Sequence, residues 1–387
     1  MYRHGTRSAG RQTDRAVINT NQLKSALERL CLVVPKRAIL PVLENLRWRA
    51  AKGHLELTAT DLDNRLHISI PFVGEAVDSD VDVLIPAKEL CQLVKTESAS
   101  NLKIRIRNGK CEVTANKRTV VLSCADPNSF PEASDGEAKP QGQILGSAFD
   151  GALRRALFCV STESGRYSTD VLKLELRGSI FRVVGTDGHR LSVVEGTART
   201  TGDSTFWVLL LRSTVTILSR LGLADEPRWV EFSTCGSEQD FNLFALPDGS
   251  RLITRRGQGQ FPNYENVLPK APLEARVVFR REELLEGLAK LSPTARKAQV
   301  PAVKLELSHS PVSIKTENDG TASSITLEHT RVSGKARDIG FNHHYLTQYV
   351  RSVETDTISM KLFPEAICEV ALFDTFRYQH LLMPLRV

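Results

Sequence analysis

Three amphipathic patterns at nearly equal intervals govern how this chain can fold. NTNQLKSALERL places Leu23, Leu27 and Leu30 on one face, at the i, i+4, i+7 spacing of a helix that buries one side. FDGALRRALFCV repeats that spacing with Leu153, Leu157 and Val160, and RREELLEGLAKL repeats it with Leu284, Leu288 and Leu291. Leu23 and Leu153 lie 130 residues apart, and Leu153 and Leu284 lie 131 apart. Other markers keep a similar period. Thr60-Asp61 and Thr186-Asp187 are 126 residues apart, each between two alternating segments, and Phe130-Pro131 and Phe261-Pro262 are 131 apart. A further helical pattern follows each middle region: IPAKELCQLVKT, LLRSTVTILSRLG and NHHYLTQYVRSV. Self-similarity at a fixed period means one unit built several times, so each repeat reads as helix, strands, helix, strands.

The strands rest on period-two alternation with β-branched residues, as in LKIRIRN, CEVTA, KLELRG, VKLELSH and SITLEHT, bounded by Gly, Asn or Asp turn signals. With 387 residues the chain is too long for one core. The predicted fold class is α+β: three tandem similar domains, each with two helices on an antiparallel sheet. The boundaries expected are an N-terminal extension at 1–14 and domains at 15–138, 139–269 and 270–387. Linkers are expected at ASDGEAKPQGQ (133–143) and LPKAPLE (268–274).

Composition excludes several functional classes. No run of about 18 apolar residues exists and the N-terminus lacks an apolar signal segment, which predicts a soluble, unexported, cytoplasmic protein with no membrane partner. Cys31, Cys91, Cys111, Cys124, Cys159, Cys235 and Cys368 form an odd, scattered set without a CxxC pair, and read as reduced, small apolar residues. There is no GxxxxGK[ST] phosphate loop, no HExxH and no GxSxG, so the expectation is a non-catalytic protein without cofactor or metal. His343-His344 does not change this, because adjacent residues on a helix point about 100° apart. A net charge of +6 mildly favours polyanionic partners. Residues 1–14 carry Arg3, Arg7 and Arg11 and read as a disordered tail or a misassigned start, in preference to an arm that contacts DNA.

GTDGHRLS (185–192), FPNYENVLP (261–269) and LLMPLRV (381–387), with KRAILPVLENL and TATDLD nearer the start, resemble the beta-subunit family of bacterial DNA polymerase III over about residues 15 to 387. The resemblance implies a head-to-tail homodimeric ring that encircles double-stranded DNA as a sliding clamp. Its implied partners are the polymerase alpha subunit, a clamp loader and other proteins carrying a clamp-binding motif, with ATP use left to the loader. It also implies a peptide cleft walled by Thr169, Thr186, Gly188, His189, Arg190, Leu191, Pro262, Val267, Met383, Pro384, Leu385 and Arg386. Such a cleft needs apolar walls with a few placed polar groups. Gly188 is expected to permit a backbone path that a Cβ would block. The alternative is that His189 and Arg190 cap a turn and the terminus packs into a core.

A clamp must attract phosphates without holding them, so its basic groups should be spread over corresponding helices. Candidates are Lys24 and Arg29, Lys95, Arg154 and Arg155, Arg212 and Arg220, and Lys290. The family correspondence adds Arg37 and Tyr167 near the duplex. Departures from the family pattern are Ser168 after the tyrosine, Thr169 for a leucine, and Asn266 for an arginine. Thr119 and Thr294-Ala295 also fall near the domain 1 to domain 3 junction, where relatives place large apolar residues. These departures, with the basic charge, keep open a divergent paralogue that binds DNA or a partner as a monomer, for example in a mobile element. A sequence-specific transcription factor would need a recognition helix, and no helix-turn-helix is evident.

Overall fold

The computed structural model describes residues 16–51, 53–74, 81–132, 136–161, 169–202, 205–224, 228–295, 301–318, 320–364, 371–375 and 377–385. The N-terminal extension, Tyr167, Ser168, Cys368 and Arg386 lie outside them. Six α-helices occur among these residues: α1 (Thr20–Leu30), α2 (Ala87–Lys95), α3 (Gly146–Leu157), α4 (Arg212–Leu218), α5 (Arg281–Ala295) and α6 (His343–Ser352). They fall where the repeat predicts them. Leu23, Leu27 and Leu30 of α1 and Leu284, Leu288 and Leu291 of α5 are at most 1 % exposed. Burial on that scale is worth roughly 1.5–3 kcal/mol per side chain. The second repeat departs in detail. Its helix ends at Leu157, which is only half-buried, and Val160 is buried in the turn that follows.

Asn19 caps α1 by accepting from the backbone N–H groups of Asn21 and Gln22, at 3.1 and 3.2 Å. Asn342 caps α6 in the same way, accepting from His344 and Tyr345 at 2.9 and 3.3 Å. Each cap satisfies donors that the first helical turn leaves without partners. No helix among the described residues is long and apolar enough to cross a membrane.

The chain forms two compact units. The first takes residues 1–143, 220–222 and 228–256. One of its sheets is antiparallel in the order Ala16–Asn19, Asn101–Arg107, Lys110–Ala115, Arg118–Ser123. The other runs Val81–Pro86, Asn45–Ala51, His54–Thr60, Asn64–Pro71, then Arg251–Arg255, Phe241–Ala245 and Trp229–Cys235. Strands of the first and second repeats thus join edge to edge, through Arg251–Thr254 paired with His67–Asn64. The strand Lys139–Leu145 adds to Trp229–Cys235, so the second half of the expected 133–143 linker is a strand rather than a tether. Gln141 Nε2 donates to Thr234 Oγ1 there, at 3.3 Å.

The second unit takes residues 144–219, 223–227 and 257–387. Its larger sheet is antiparallel throughout, in the order Phe206–Leu211, Val171–Arg177, Ile180–Thr186, Arg190–Thr200, Tyr378–Leu382, Ala371–Thr375, Thr357–Leu362, Ala275–Arg280 and Arg331–Gly334. Here the second and third repeats share one sheet. Its other sheet runs Thr321–Leu327, Val312–Asn318, Ala302–Glu306, Ile339–Asn342, and α5 packs on it.

The two Thr-Asp markers make the same turn. In the first unit Thr60 Oγ1 donates to the carbonyl of Asn64 at 2.9 Å and accepts from the N–H of Leu62 at 3.1 Å. Asp61 accepts from the N–H groups of Asp63 and Asn64. In the second unit Thr186 Oγ1 donates to the carbonyl of Arg190 at 2.7 Å and accepts from Gly188 at 3.2 Å, while Asp187 accepts from His189 and Arg190. The third turn residue has φ +82° at Leu62 and +87° at Gly188. A left-handed angle costs an L-residue about 1–2 kcal/mol, which glycine escapes. Leu62 is 45 % exposed, so little packing is at stake. Leu62→Gly should therefore stabilise the protein by about 1 kcal/mol and Gly188→Leu should destabilise it by about the same, both read from urea unfolding midpoints.

Candidate functional site

The Thr186–Arg190 turn sits at the end of a long strand whose neighbour is the C-terminal strand. Arg190↔Leu382, Leu191↔Leu381, Ser192↔His380, Val193↔Gln379 and Val194↔Tyr378 are paired residues, and Met383 N–H donates to the carbonyl of His189 at 2.9 Å. Leu385 N–H then donates to the carbonyl of Gly340, 2.8 Å away and just before α6. Residues 383–385 therefore run from the turn toward the start of α6. Met383 is 47 % exposed, and Pro384 and Leu385 are half-buried.

The 261–269 segment joins through its middle residue. Tyr264 is buried and packs with Val184, Leu191, Val193, Phe363 and Leu381. Its hydroxyl donates to Glu175 Oε2 at 2.9 Å and accepts from Arg182 Nη1 at 2.9 Å. Arg182 also donates to Glu195, at 2.7 and 3.0 Å. This anchor fixes the loop that carries Pro262, which is half-buried, and Val267, which is 50 % exposed.

Arg190 is the most constrained residue of the site. It is 8 % exposed, and its Nε donates to Asp187 Oδ2 at 2.9 Å and its Nη1 to Gln348 Oε1 at 2.5 Å. Its Nη2 donates to the carbonyl of Phe158. The guanidinium lies 4.1 Å from the centroid of the Tyr345 ring and 5.2 Å from that of Phe158. A planar cation held by a carboxylate, an amide, a carbonyl and two rings is a fixed structural part. Arg190 is thus bonded into the turn through Asp187, whereas His189 is exposed. Gly188 needs correction. A Cβ there would meet nothing within 4 Å, so the turn requires glycine for its backbone angle and not for space.

Around Arg190 opens a cleft of about 830 Å³. His189, Arg190 and Asp187 line it from the turn, and Arg154, Leu157, Phe158, Val160 and Ser161 from α3 and the residues after it. Arg212 contributes from α4, and His344, Tyr345 and Gln348 from α6. Two predicted sets thus meet here: His189 and Arg190 from the cleft group, Arg154 and Arg212 from the DNA group. Thr169, Leu191, Pro262 and Val267 do not line this cleft. Leu191 belongs to the Tyr264 cluster, and the carbonyl of Thr169 accepts from Ser161 N–H at 2.8 Å. Sequence reasoning missed Phe158, Asp187, Tyr345 and Gln348. Only Asp187 left a signal, as the Asx residue of the turn.

The remaining basic candidates are placed separately. Lys24 is half-buried on α1, and Arg29 is ion-paired with Asp248. Arg37, Lys95 and Arg220 are exposed, and Lys290 is 4.0 Å from Glu286. Arg155 pairs with Glu354 at 3.2 Å and donates to the carbonyl of Ser352 at 3.3 Å. His343 is buried with Nε2 2.7 Å from the carbonyl of Leu288, so that nitrogen carries a proton and donates. Among the described residues no group of His, Cys, Asp or Glu could hold a metal ion.

Beneath Arg190 lies a buried polar cluster. Ser192 Oγ is 2.8 Å from His380 Nδ1 and 3.1 Å from Cys159 Sγ. Tyr378 and Ser352 hydroxyls are 3.0 Å apart. The His380 ring stacks on Tyr349, with centroids 4.6 Å apart and 10° between planes. Burial pushes the Cys159 thiol up to about 12. Burial, with the charge of Arg190, holds His380 well below its ordinary 6.5.

Three comparisons bear on this geometry. Residues 15–134 match the model of the DNA polymerase III beta subunit, N-terminal domain. A Pseudomonas aeruginosa protein named beta sliding clamp is 26% identical over 383 residues, covering 96% of this chain and 99% of that one. The Escherichia coli beta sliding clamp is 22% identical over 91% of this chain and 94% of its own length. Among solved structures, a Pseudomonas aeruginosa sliding clamp bound to griselimycin superposes with a TM-score of 0.87 at 24% identity, over 96% of this chain and 99% of that one. A Thermotoga maritima DNA polymerase III beta subunit gives 0.86 at 18% identity, over 97% of this chain and 100% of that one.

Because folded His380 resists protonation, the unfolded chain binds an extra proton once the pH drops below about 6.5. Stability from this group is therefore full above that pH and declines below it. The thermal midpoint should fall between pH 7 and pH 5. A His380→Gln variant should lose that share of the slope, up to about 1.4 kcal/mol per pH unit.

Proposed function

This chain belongs to the DNA polymerase III beta-subunit family, and on that footing we infer that it works as a beta sliding clamp, a processivity factor that encircles duplex DNA and tethers a polymerase to it. Its partners on this reading are the polymerase alpha subunit, a clamp loader and other proteins with a clamp-binding peptide. It acts without catalysis, and enclosure replaces chemistry. The three domains are 15–138, 139–269 and 270–387, with shared sheets running across both junctions.

The observation that carries the ring is what the sheets leave over. The first and second repeats share one sheet, and the second and third share another. Among the described residues two four-stranded sheets remain, one in each unit, ending on Arg118–Ser123 and on Thr321–Leu327. An unpaired strand edge is a template for further pairing. Joining these two unlike edges between copies repeats the arrangement already used twice within the chain and gives a head-to-tail closure. Val121 is 52 % exposed on the first edge. Thr119 is exposed and 3.1 Å from Thr114, while Ala295 is fully buried within its own unit, so the edges rather than large apolar plugs supply this junction.

The walls proposed for the partner cleft are Thr169, Thr186, Gly188, His189, Arg190, Leu191, Pro262, Val267, Met383, Pro384 and Leu385, a set that meets the cavity around Arg190 only at His189 and Arg190; Arg386, the remaining member, lies outside the described residues. The pairing of the terminal strand with the Arg190 strand supports this reading, because it sets the exposed Met383 beside His189. Met is a flexible, polarisable surface able to repack around different peptides. Lys24, Arg37, Arg154, Arg155, Arg212 and Arg220 are the proposed duplex contacts, with Tyr167, outside the described residues, a further candidate.

A loaded clamp should stay on circular DNA and slide off linearised DNA at moderate salt; equal loss from both would refute enclosure. At micromolar concentration sedimentation should report twice the 42.9 kDa chain mass. A stable mass of one chain would favour the monomeric paralogue. Removing Met383–Val387 should abolish polymerase stimulation with circular dichroism unchanged, and undiminished stimulation would count against the cleft.

A further inference from the structure

The four-stranded sheet of the first unit carries its charge on one side. Leu102, Ile104 and Ile106 from Asn101–Arg107, with Cys111 and Val113 from Lys110–Ala115, form its core face, each at most 6 % exposed. Period-two alternation turns Lys103, Arg105 and Arg107 to the opposite face. Arg107 is paired with Lys110 across the ladder, so a fourth cation joins that side. Lys103, Arg107 and Lys110 are exposed, and Arg105 is half-buried. Glu112, opposite Arg105, is the one carboxylate on the four strands.

Like charges opposite one another weaken a ladder, as at Arg107 and Lys110. The corresponding sheet of the second unit avoids that cost. There Lys315 lies 2.8 Å from Glu306, and Lys304 lies 3.3 Å from Asp338. In the first unit no carboxylate among the described residues stands within ion-pair distance of Lys103, Arg105 or Lys110. Their charge is left for something outside the chain.

We propose that this solvent-facing side of the sheet binds the phosphate backbone of duplex DNA, as a second site that works independently of enclosure. None of the duplex contacts proposed above is on this sheet. Side chains two apart on a strand are about 6.8 Å apart and neighbouring strands about 4.8 Å, so the four cations cover about 14 Å by 5 Å. One strand of a duplex presents a phosphate about every 3.4 Å along its axis, hence about four over that length. The four strands carry no aromatic residue, so unpaired bases have nothing to stack on and a single strand gains little. Val17 and Val121, on the two outer strands, are the only apolar residues of this face, which gives an acidic peptide little anchorage.

The test needs a duplex that cannot be threaded. Covalently closed circular DNA is mixed with the full chain, without a loader, and binding is read by gel mobility. Binding should appear at about 50 mM salt and weaken about a hundredfold by about 200 mM, a double-logarithmic slope of about −3.6 for four phosphates. The triple substitution Lys103→Gln, Arg105→Gln, Lys110→Gln should flatten the slope to about −1, and Lys103→Gln with Lys110→Gln to about −2. Both of those lysines are exposed, so the double variant serves if the triple one fails to fold. Lys304→Gln with Lys315→Gln removes two charges from the corresponding sheet and should leave the slope unchanged. No binding by the unsubstituted chain, or an unchanged slope in the double variant, would overturn the proposal. Displacement of the DNA by poly-glutamate at equal charge concentration would overturn it in favour of an acidic protein segment. Enclosure is read separately, from loaded clamps on circular and linearised DNA, so either reading can fail alone.

Discussion

Five paired residues between Arg190–Val194 and Tyr378–Leu382 hold the functional part of this molecule together. Without that stretch of antiparallel ladder the last residues would have no fixed relation to the Thr186–Arg190 turn, and Met383 would not lie against His189. The ladder joins segments almost 190 residues apart in sequence, so its formation closes a long loop and is entropically late. Once closed it is backed on one side by the Tyr264 cluster and on the other by His380, Tyr349 and Cys159.

The energetic character of the site follows from those two backings. The Tyr264 side is a network of partly exposed charges, Glu175, Arg182 and Glu195, in which each pair is individually worth little but the geometry locks a phenol in place. The His380 side is dry, and burial there suppresses ionisation of both the imidazole and the Cys159 thiol. Buried polar groups held like His380 Nδ1, 2.8 Å from Ser192 Oγ, favour one packing, while His380 Nε2 is buried without a hydrogen-bond partner among the described residues. The exposed wall of the site is thus supported by a seam that tolerates little movement.

Much of this was legible in the sequence. Helix positions followed from leucine spacing, because a helix must bury one stripe, and α1 and α5 do so with every predicted leucine. The Thr-Asp markers pointed to equivalent turns, and the structure gives them the same hydrogen bonds and the same left-handed third residue. Illegible were the features set by long-range pairing. The sequence offers no sign that 139–145 continues a sheet, since the segment alternates weakly and contains Pro140 and Gly142. Nor could periodicity reveal that Tyr345 faces Arg190, because the α6 pattern says which residues are buried and not which neighbour the half-buried ones meet. Gly188 shows the converse error. Its presence was foreseen, yet the reason is a torsion angle and not crowding.

The path of residues 383–385, pinned at His189 on one side and Gly340 on the other, bears on how the protein can be handled. An affinity tag or fluorophore fused beyond residue 385 would follow closely on the Gly340 anchor. It would arrive beside the very surface a binding assay is meant to probe. Labels for such work belong in the other compact unit, for instance at Asn108 in the turn between the strands Asn101–Arg107 and Lys110–Ala115.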